Sequence, residues 1–150
     1  MSDYFINKDD NKGYLEITLE FIKMMTENAT IAEVDNFLYD LGFRLSSRYD
    51  VCKATTLTQM QLVINQHLSK LGFGVCQIED QNDSLKITHR GFQTCQNSTE
   101  NEVLIKGFSV ILCGLYNGWF KQTGMPEAIT CKIENINYYQ DIVLIIKRQK

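Results

Sequence analysis

The chain has 150 residues, 44% of them hydrophobic, and a formal net charge of −3 at neutral pH. This length and apolar content predict one compact domain over residues 1–150 and disfavour a string of small modules. The acidic balance also disfavours nucleic acid as a partner, because proteins that bind it usually carry clustered basic charge.

Residues 1–12 form an amino-terminal arm without the basic start and apolar run of a secretory signal, so we expect a cytoplasmic protein. From Gly13 to Asn28, polar residues recur at helical spacing and leave a wide apolar arc. Such a helix lies deep in its own domain or packs against a second copy of the chain. We therefore take this first helix as a candidate oligomer interface, through Tyr14, Ile17 and Phe21.

Thr30 and Glu33 have the spacing of a capping box, which predicts the start of a second helix. Its expected buried face comprises Ile31, Val34, Phe37, Leu38, Leu41 and Leu45. A third helix follows from Thr56 and ends at Gly72, which suits a left-handed stop. Strands from Phe73 to Glu79 and from Ser84 to His89 then flank a polar turn and predict a hairpin.

After an expected loop from Arg90 to Asn101, helical character resumes at Glu102 and ends near Gly124. The apolar part of this helix is interrupted by a lysine, two polar residues and three glycines, so it predicts a core helix and no transmembrane segment. Two of these glycines, Gly114 and Gly118, lie on one stripe where another backbone can approach closely, either within the domain or at an oligomer interface.

Two strands complete the chain. The first alternates between apolar and polar residues from Ile129, and the second is apolar on both faces from Ile142 to Ile146. The second strand is therefore central in a covered sheet or part of a contact between copies. The predicted class is α+β: three helices, a β-hairpin, a long glycine-containing helix and two further strands, with one mostly antiparallel four-stranded sheet.

The residues that could carry chemistry form no recognisable catalytic or metal-binding set. The acids follow helix exteriors, and the five cysteines are too widely spaced for a disulfide framework or a zinc site. His67 and His89 lie within apolar patterns, where hydrogen-bonded structural histidines are the simpler interpretation. We therefore expect no enzyme, no cofactor and no metal.

Several segments resemble the cellulose synthase D-subunit family of bacterial cellulose operons. They are FLYDLGFRLSSRY on the second helix, TLTQMQLVINQHL leading into LGFGVCQIED, the strand LKITH, and LIKGFSVILCGLYNGWF on the long helix. The segment GLYNGW, residues 114–119, is the most specific. The chain departs from the family pattern at Phe73, where members usually have tryptophan, and it lacks the proline that often follows the strand histidine.

The resemblance implies a non-catalytic accessory protein that assembles from dimers into a ring, an octamer, with passages for nascent β-1,4-glucan chains. Such a protein orders glucan or aligns synthase complexes, with cellulose synthase components as partners near the inner membrane. In the family the amino-terminal region is associated with the passages. We expect glucan contacts from aromatic, amide and basic side chains of this region, which here are Tyr4, Phe5, Asn7, Lys8 and Asn11.

A second resemblance leads to a different class. The order of elements and the segment CGLYNG are also similar to TRAPP-like and vinyl-reductase-like ligand domains, which act in tethering complexes or bind small apolar ligands. A closed ring favours the cellulose synthase accessory protein, whereas a dimer with an apolar pocket between helices and sheet favours this alternative.

Overall fold

The computed structural model of the chain describes residues 12–124 and 129–148, which form four helices and four strands. The elements in chain order are α1 (Lys12–Asn28), α2 (Ile31–Ser46), α3 (Leu57–Leu71), β1 (Val75–Asp80), β2 (Ser84–Arg90), α4 (Ser98–Gln122), β3 (Ile129–Asn137) and β4 (Asp141–Arg148). The predicted α+β class and the order of its elements are therefore confirmed.

The ends of the helices follow local signals in the sequence. The Thr30 hydroxyl accepts a hydrogen bond from the Glu33 amide at 3.2 Å, and the Glu33 carboxylate accepts one from the Thr30 amide at 3.2 Å. This reciprocal pair is the predicted capping box of α2. Gly72, with φ of 70°, ends α3 in the left-handed conformation that glycine adopts without steric cost.

The sheet has the strand order β1-β2-β4-β3, and each neighbouring pair is antiparallel. β4 is therefore a central strand, with Leu144 opposite Ile87 of β2 and Ile133 of β3. The outer edge of β1 is covered by amide side chains of α3. Asn65 both donates to and accepts from the backbone of Cys76, and Gln61 accepts from the Ile78 amide at 2.8 Å.

α4 forms the middle layer of the domain. Every residue from Ile111 to Phe120 is buried, with α1 and α2 packed on one side and the sheet on the other. Among the described residues, α4 alone is long and apolar enough to cross a membrane, but 78% of its most apolar window is buried inside the domain. The sequence prediction of a core helix is therefore confirmed.

The predicted loop before α4 is wrong in its length. The helix begins at Ser98, four residues before Glu102, because Asn97 acts as its N-cap and accepts from the Glu100 amide at 3.0 Å. Asn101, expected in a polar loop, is fully buried. Its side-chain amide accepts from the Cys95 amide at 2.9 Å and donates to the Tyr138 carbonyl at 2.8 Å, which ties the start of α4 to the turn before β4.

Candidate functional site

The most conspicuous surface feature is an apolar face on α1 and α2, here called the α1–α2 face. Its members are Tyr14, Ile17, Phe21 and Met24 of α1, with exposed fractions of 49–74%, and Phe37 and Leu41 of α2, with 50% and 39%. The aromatic rings of Phe21 and Phe37 lie 6.3 Å apart and join the two helices into one surface. Scattered exposed apolar side chains are normal, but a contiguous set of this kind indicates a binding surface.

This face exists because α1 needs few of its apolar residues for the core. Leu19 and Ile22 alone are fully buried, and Ile22 packs against Gly107 of α4. The prediction that α2 buries Ile31, Phe37 and Leu41 is wrong, because α2 lies on α4 through a narrower stripe that includes Val34, Leu38 and Gly42. The apolar residues on the outer side of both helices are therefore exposed, while Leu15, Met25 and Leu45 pack half-buried against the core.

A groove of about 500 Å³ opens within this face. Its sides are residues of α1 and α2, its floor is the first half of α4, and its end is the turn at residues 71–73. The lining is almost entirely aliphatic and aromatic, and Tyr14 is its one ionisable side chain among the described residues. The hydroxyl of Thr18, a polar lining group, already donates to the Tyr14 carbonyl at 2.8 Å. The groove therefore suits apolar contact and has no groups placed for acid–base chemistry.

The predicted glycine stripe of α4 packs inside the chain. A Cβ atom at Gly114 would overlap the carbonyl oxygen of Tyr39, and one at Gly118 would overlap the side chain of Ser46. Gly42 of α2 approaches the backbone of α4 equally closely at Ile111. These glycines let α2 and α4 cross with their backbones in contact. The crossing fixes the position of α2, which carries part of the α1–α2 face.

The GLYNGW segment supplies buried polar contacts around that crossing. Tyr116 bonds His89, the side-chain amide of Asn117 donates to the Tyr39 hydroxyl, and the Trp119 indole donates to the Tyr49 carbonyl at 3.2 Å. All three side chains are almost completely buried. The part of the sequence with the most specific resemblance therefore shapes the interior of the domain.

His89 is held neutral in this interior. Its Nε2 lies 2.7 Å from the Phe73 carbonyl oxygen, which only accepts, so Nε2 donates and Nδ1 accepts from the Tyr116 hydroxyl at 2.7 Å. Burial lowers the pKa of His89 to about 4, partly opposed by the bond to Phe73. Because no face of the ring reaches solvent, His89 is a structural group.

His67 and the cysteines likewise have structural surroundings. The His67 ring stacks on Trp119 at 5.9 Å, and its Nε2 bonds the Asp50 carbonyl at 2.9 Å. Cys76, Cys113 and Cys131 are buried, and burial raises the pKa of the Cys76 thiol to about 11, which suppresses its reactivity. Within residues 12–124 and 129–148, no three His, Cys, Asp or Glu side chains are grouped to hold a metal ion.

The residues selected from the sequence thus fall into three groups. Tyr14, Ile17 and Phe21 lie together on the α1–α2 face, whereas Gly114 and Gly118 lie under it at the helix crossing. Tyr4, Phe5, Asn7, Lys8 and Asn11 lie outside the described residues. Sequence reasoning missed Phe37 and Leu41 as members of the face. The signal that it could have used is the apolar arc of α2, which, like that of α1, is wider than one helix contact requires.

The arrangement of three helices, hairpin, central helix and two strands places the domain in a known structural class. A search of solved structures finds a trafficking protein particle complex subunit 3 from Naegleria fowleri, in a crystal structure covalently bound to palmitic acid. The two folds align with a TM-score of 0.64 over 96% of this chain and 98% of that chain, at 10% sequence identity. The similarity therefore concerns the fold.

The sequence of the chain identifies its family. Residues 1–144 match the family model of the cellulose synthase D subunit, and the chain belongs to that family. A sequence search of curated proteins finds no significant match.

Proposed function

We propose that this protein is a non-catalytic accessory subunit of bacterial cellulose synthesis that pairs through its α1–α2 face and assembles further into a ring, an octamer. The ring acts on the cytoplasmic side of the synthase complex, where it orders glucan chains or aligns synthase units. The single observation that carries the proposal is the α1–α2 face, an exposed apolar surface in a member of the cellulose synthase D-subunit family.

The size of the face is appropriate for self-association. Six large side chains that are roughly half exposed present on the order of 600 Å² of apolar surface. A stable interface buries about 800 Å² on each partner, and an apolar centre with a polar margin is its usual composition. A symmetric contact of α1 and α2 with the same helices of a second copy covers this surface and encloses the groove.

The amino-terminal arm has a proposed role in the assembly, which is contact with glucan. Asn11 directly precedes α1, whose residues Tyr14 and Ile17 belong to the face. We propose that Tyr4 and Phe5 cover the apolar faces of glucose rings and that Asn7, Lys8 and Asn11 bond hydroxyls of the glucan chain.

Sedimentation velocity of the wild type, Ile17→Lys and Leu62→Lys tests the assembly. Leu62 is a matched control, since it is 61% exposed on α3 and lies outside the face. We expect Ile17→Lys to weaken association by about 100-fold or more, because an unpaired ammonium buried in an apolar contact costs several kcal/mol. Leu62→Lys should assemble like the wild type. A wild type that stays monomeric at every concentration refutes the proposal.

Direct glucan contact has a separate test. Titration with soluble cello-oligosaccharides should shift the amide resonances of residues 4–11, whereas malto-oligosaccharides, with their α-linkages, should shift them much less. If both sugars leave the resonances unchanged, the arm does not bind glucan and the scaffold role stands alone.

The groove supports a second candidate function, a dimeric ligand-binding or tethering domain of the TRAPP-like or vinyl-reductase-like kind. A volume of about 500 Å³ with apolar walls is within the range of small-molecule sites, and the structurally similar trafficking protein holds palmitic acid. Native mass spectrometry discriminates the two functions. A closed ring with an empty groove supports the cellulose synthase accessory protein, and a dimer carrying one fatty acid per chain supports the alternative.

A further inference from the structure

A second unpartnered surface lies on the opposite side of the domain. Val143 and Ile145 of β4 alternate with the buried Ile142, Leu144 and Ile146, so they point away from α4. In the described chain α4 packs on the buried face of the sheet and α3 on the β1 side, while α1 and α2 contact α4 and each other. Val143 and Ile145 remain only half-buried. β4 is central, as one of the two predicted explanations requires, but the described residues cover only one face of the sheet, so a contact between copies stays a prediction for the other face.

Three lysines surround these two aliphatic side chains. Ile145 lies between Lys86 of β2 and Lys132 of β3 in the strand register, and Lys147 follows two residues later on the same face. We call these five residues, Lys86, Lys132, Val143, Ile145 and Lys147, the outer sheet face. None of the three lysines has a salt bridge to a described residue. Glu79 of β1 lies opposite Lys86 in the register, so the excess positive charge beside the apolar floor comes from Lys132 and Lys147, in a chain of net charge −3.

The composition of the face favours a protein partner over a lipid surface. Its two aliphatic side chains lie in the middle of the sheet, and no aromatic side chain is paired beside Val143 or Ile145 in the register. Proteins that insert into a membrane surface use protruding apolar anchors, such as Trp, Phe or Leu. An element with exposed carboxylates fits better, since its acids meet the lysines.

The chain itself provides such an element. Between Lys12 and Ser46, α1 and α2 together carry six carboxylates and three basic groups. Glu16 and Glu27 of α1 are exposed and have no salt bridge among the described residues. These acids flank the α1–α2 face and remain at the margin when that face is paired, so they are available to another copy.

We infer that the outer sheet face is the contact between dimers, and that it receives the acidic margin of α1 from a neighbouring dimer. The inference rests on the ring proposed above. A symmetric contact through α1 and α2 closes on itself, so growth from dimer to octamer requires a second surface that is different from the first. Because α4 separates the sheet from α1 and α2, both contacts can form at once.

The test compares the wild type with Lys132→Glu/Lys147→Glu and with the control Lys53→Glu/Lys70→Glu. The control reverses the charge of two exposed lysines outside the sheet, so its net charge equals that of the sheet variant. Native mass spectrometry and sedimentation velocity at 50 and 500 mM NaCl measure assembly, and thermal unfolding checks that each variant is folded. In the sheet variant we expect the midpoint concentration of ring formation to rise at least about tenfold, because glutamates of the sheet then face the glutamates of α1. Below that concentration the variant should remain a dimer. High salt should weaken the wild-type ring in the same way.

The outcomes separate this inference from the proposed function. A wild type that never exceeds a dimer contradicts the ring, and with it any contact between dimers. A wild-type ring that persists unchanged in the folded sheet variant overturns only the assignment of this face. If that variant keeps the ring but no longer sediments with vesicles of equal phosphatidylglycerol and phosphatidylcholine, the face binds anionic lipid and the inference is wrong.

Discussion

The crossing of α2 over α4 allows a quantitative test at Gly114. In Gly114→Ala, the new Cβ would overlap the Tyr39 carbonyl oxygen and lie 2.9 Å from the Phe43 amide nitrogen. Both are backbone atoms in the middle of α2, so the strain is relieved only if the helices separate. Overpacking of this kind costs about 1–3 kcal/mol, and against backbone we expect the upper end. Alanine regains about 1 kcal/mol of helix propensity. The expected net loss in the free energy of unfolding is about 2 kcal/mol.

Two other glycines provide controls with the same chemical change. Gly13 of α1 has nothing within 4 Å of the position that an alanine methyl group would take, so Gly13→Ala should be neutral or stabilising by up to about 1 kcal/mol. At Gly107 the Cβ would lie 2.9 Å from Ile22 Cδ1, the end of a flexible side chain, so Gly107→Ala should stay within about 1 kcal/mol of the wild type. Urea unfolding followed by circular dichroism measures all three. If Gly114→Ala proves as stable as Gly13→Ala, the close-crossing argument is refuted.

Three further predictions concern the described interior and surface. Because His89 has a pKa of about 4 in the fold and about 6.5 when unfolded, its contribution to stability is present above pH 6.5 and is lost as the pH falls toward 4. The free energy of unfolding should drop by about 2 kcal/mol more between pH 7 and 5 in the wild type than in His89→Gln, and equal slopes would contradict a buried neutral imidazole. Thr30→Ala should lower stability by about 1 kcal/mol through loss of the capping box, whereas Thr30→Ser should retain most of it; equal losses in thermal or urea unfolding would argue against the cap. Cys52, the exposed thiol, should react first with an aromatic disulfide reagent in the native protein. Its rate should rise with pH because the thiolate is the reactive form, and the bond to Asp50, which raises the pKa of the thiol, shifts that rise to higher pH. Equal labelling rates for Cys52 and the buried Cys113 would mean that the native core is open.

The elements that could be predicted from the sequence are those with local signals. Thr30, Thr56 and Gly72 set helix ends through bonds within one turn of the chain, and their positions are as expected. The start of α4 was missed although Asn97 is also a local cap. Its polar first turn resembles a loop because the burial of Asn101 depends on Cys95 and on Tyr138 of a distant segment. Tertiary hydrogen bonds of this kind produce no periodic pattern in the sequence.

The candidate site was predictable only in part, for a physical reason. The pattern of α1 indicates that Tyr14, Ile17 and Phe21 exceed what one core contact needs, and these residues are exposed. The same reasoning assigned Phe37 and Leu41 to the core, because periodicity shows how wide an apolar arc is and not which part of it meets α4. Gly42 narrows the contact by bringing the two backbones together, so the outer residues of α2 join the surface.

Cellulose production in a bacterium that lacks its own gene for the cellulose synthase D subunit provides a direct test of pairing through the α1–α2 face. The strain is complemented with the wild type, Ile17→Lys or the control Leu62→Lys at equal protein levels, and the yield and crystallinity of cellulose are measured. We expect the wild type and Leu62→Lys to restore ordered cellulose and Ile17→Lys not to restore it, because its α1–α2 face cannot pair. Full restoration by Ile17→Lys, or no restoration by the wild type, would refute the proposed role of this face.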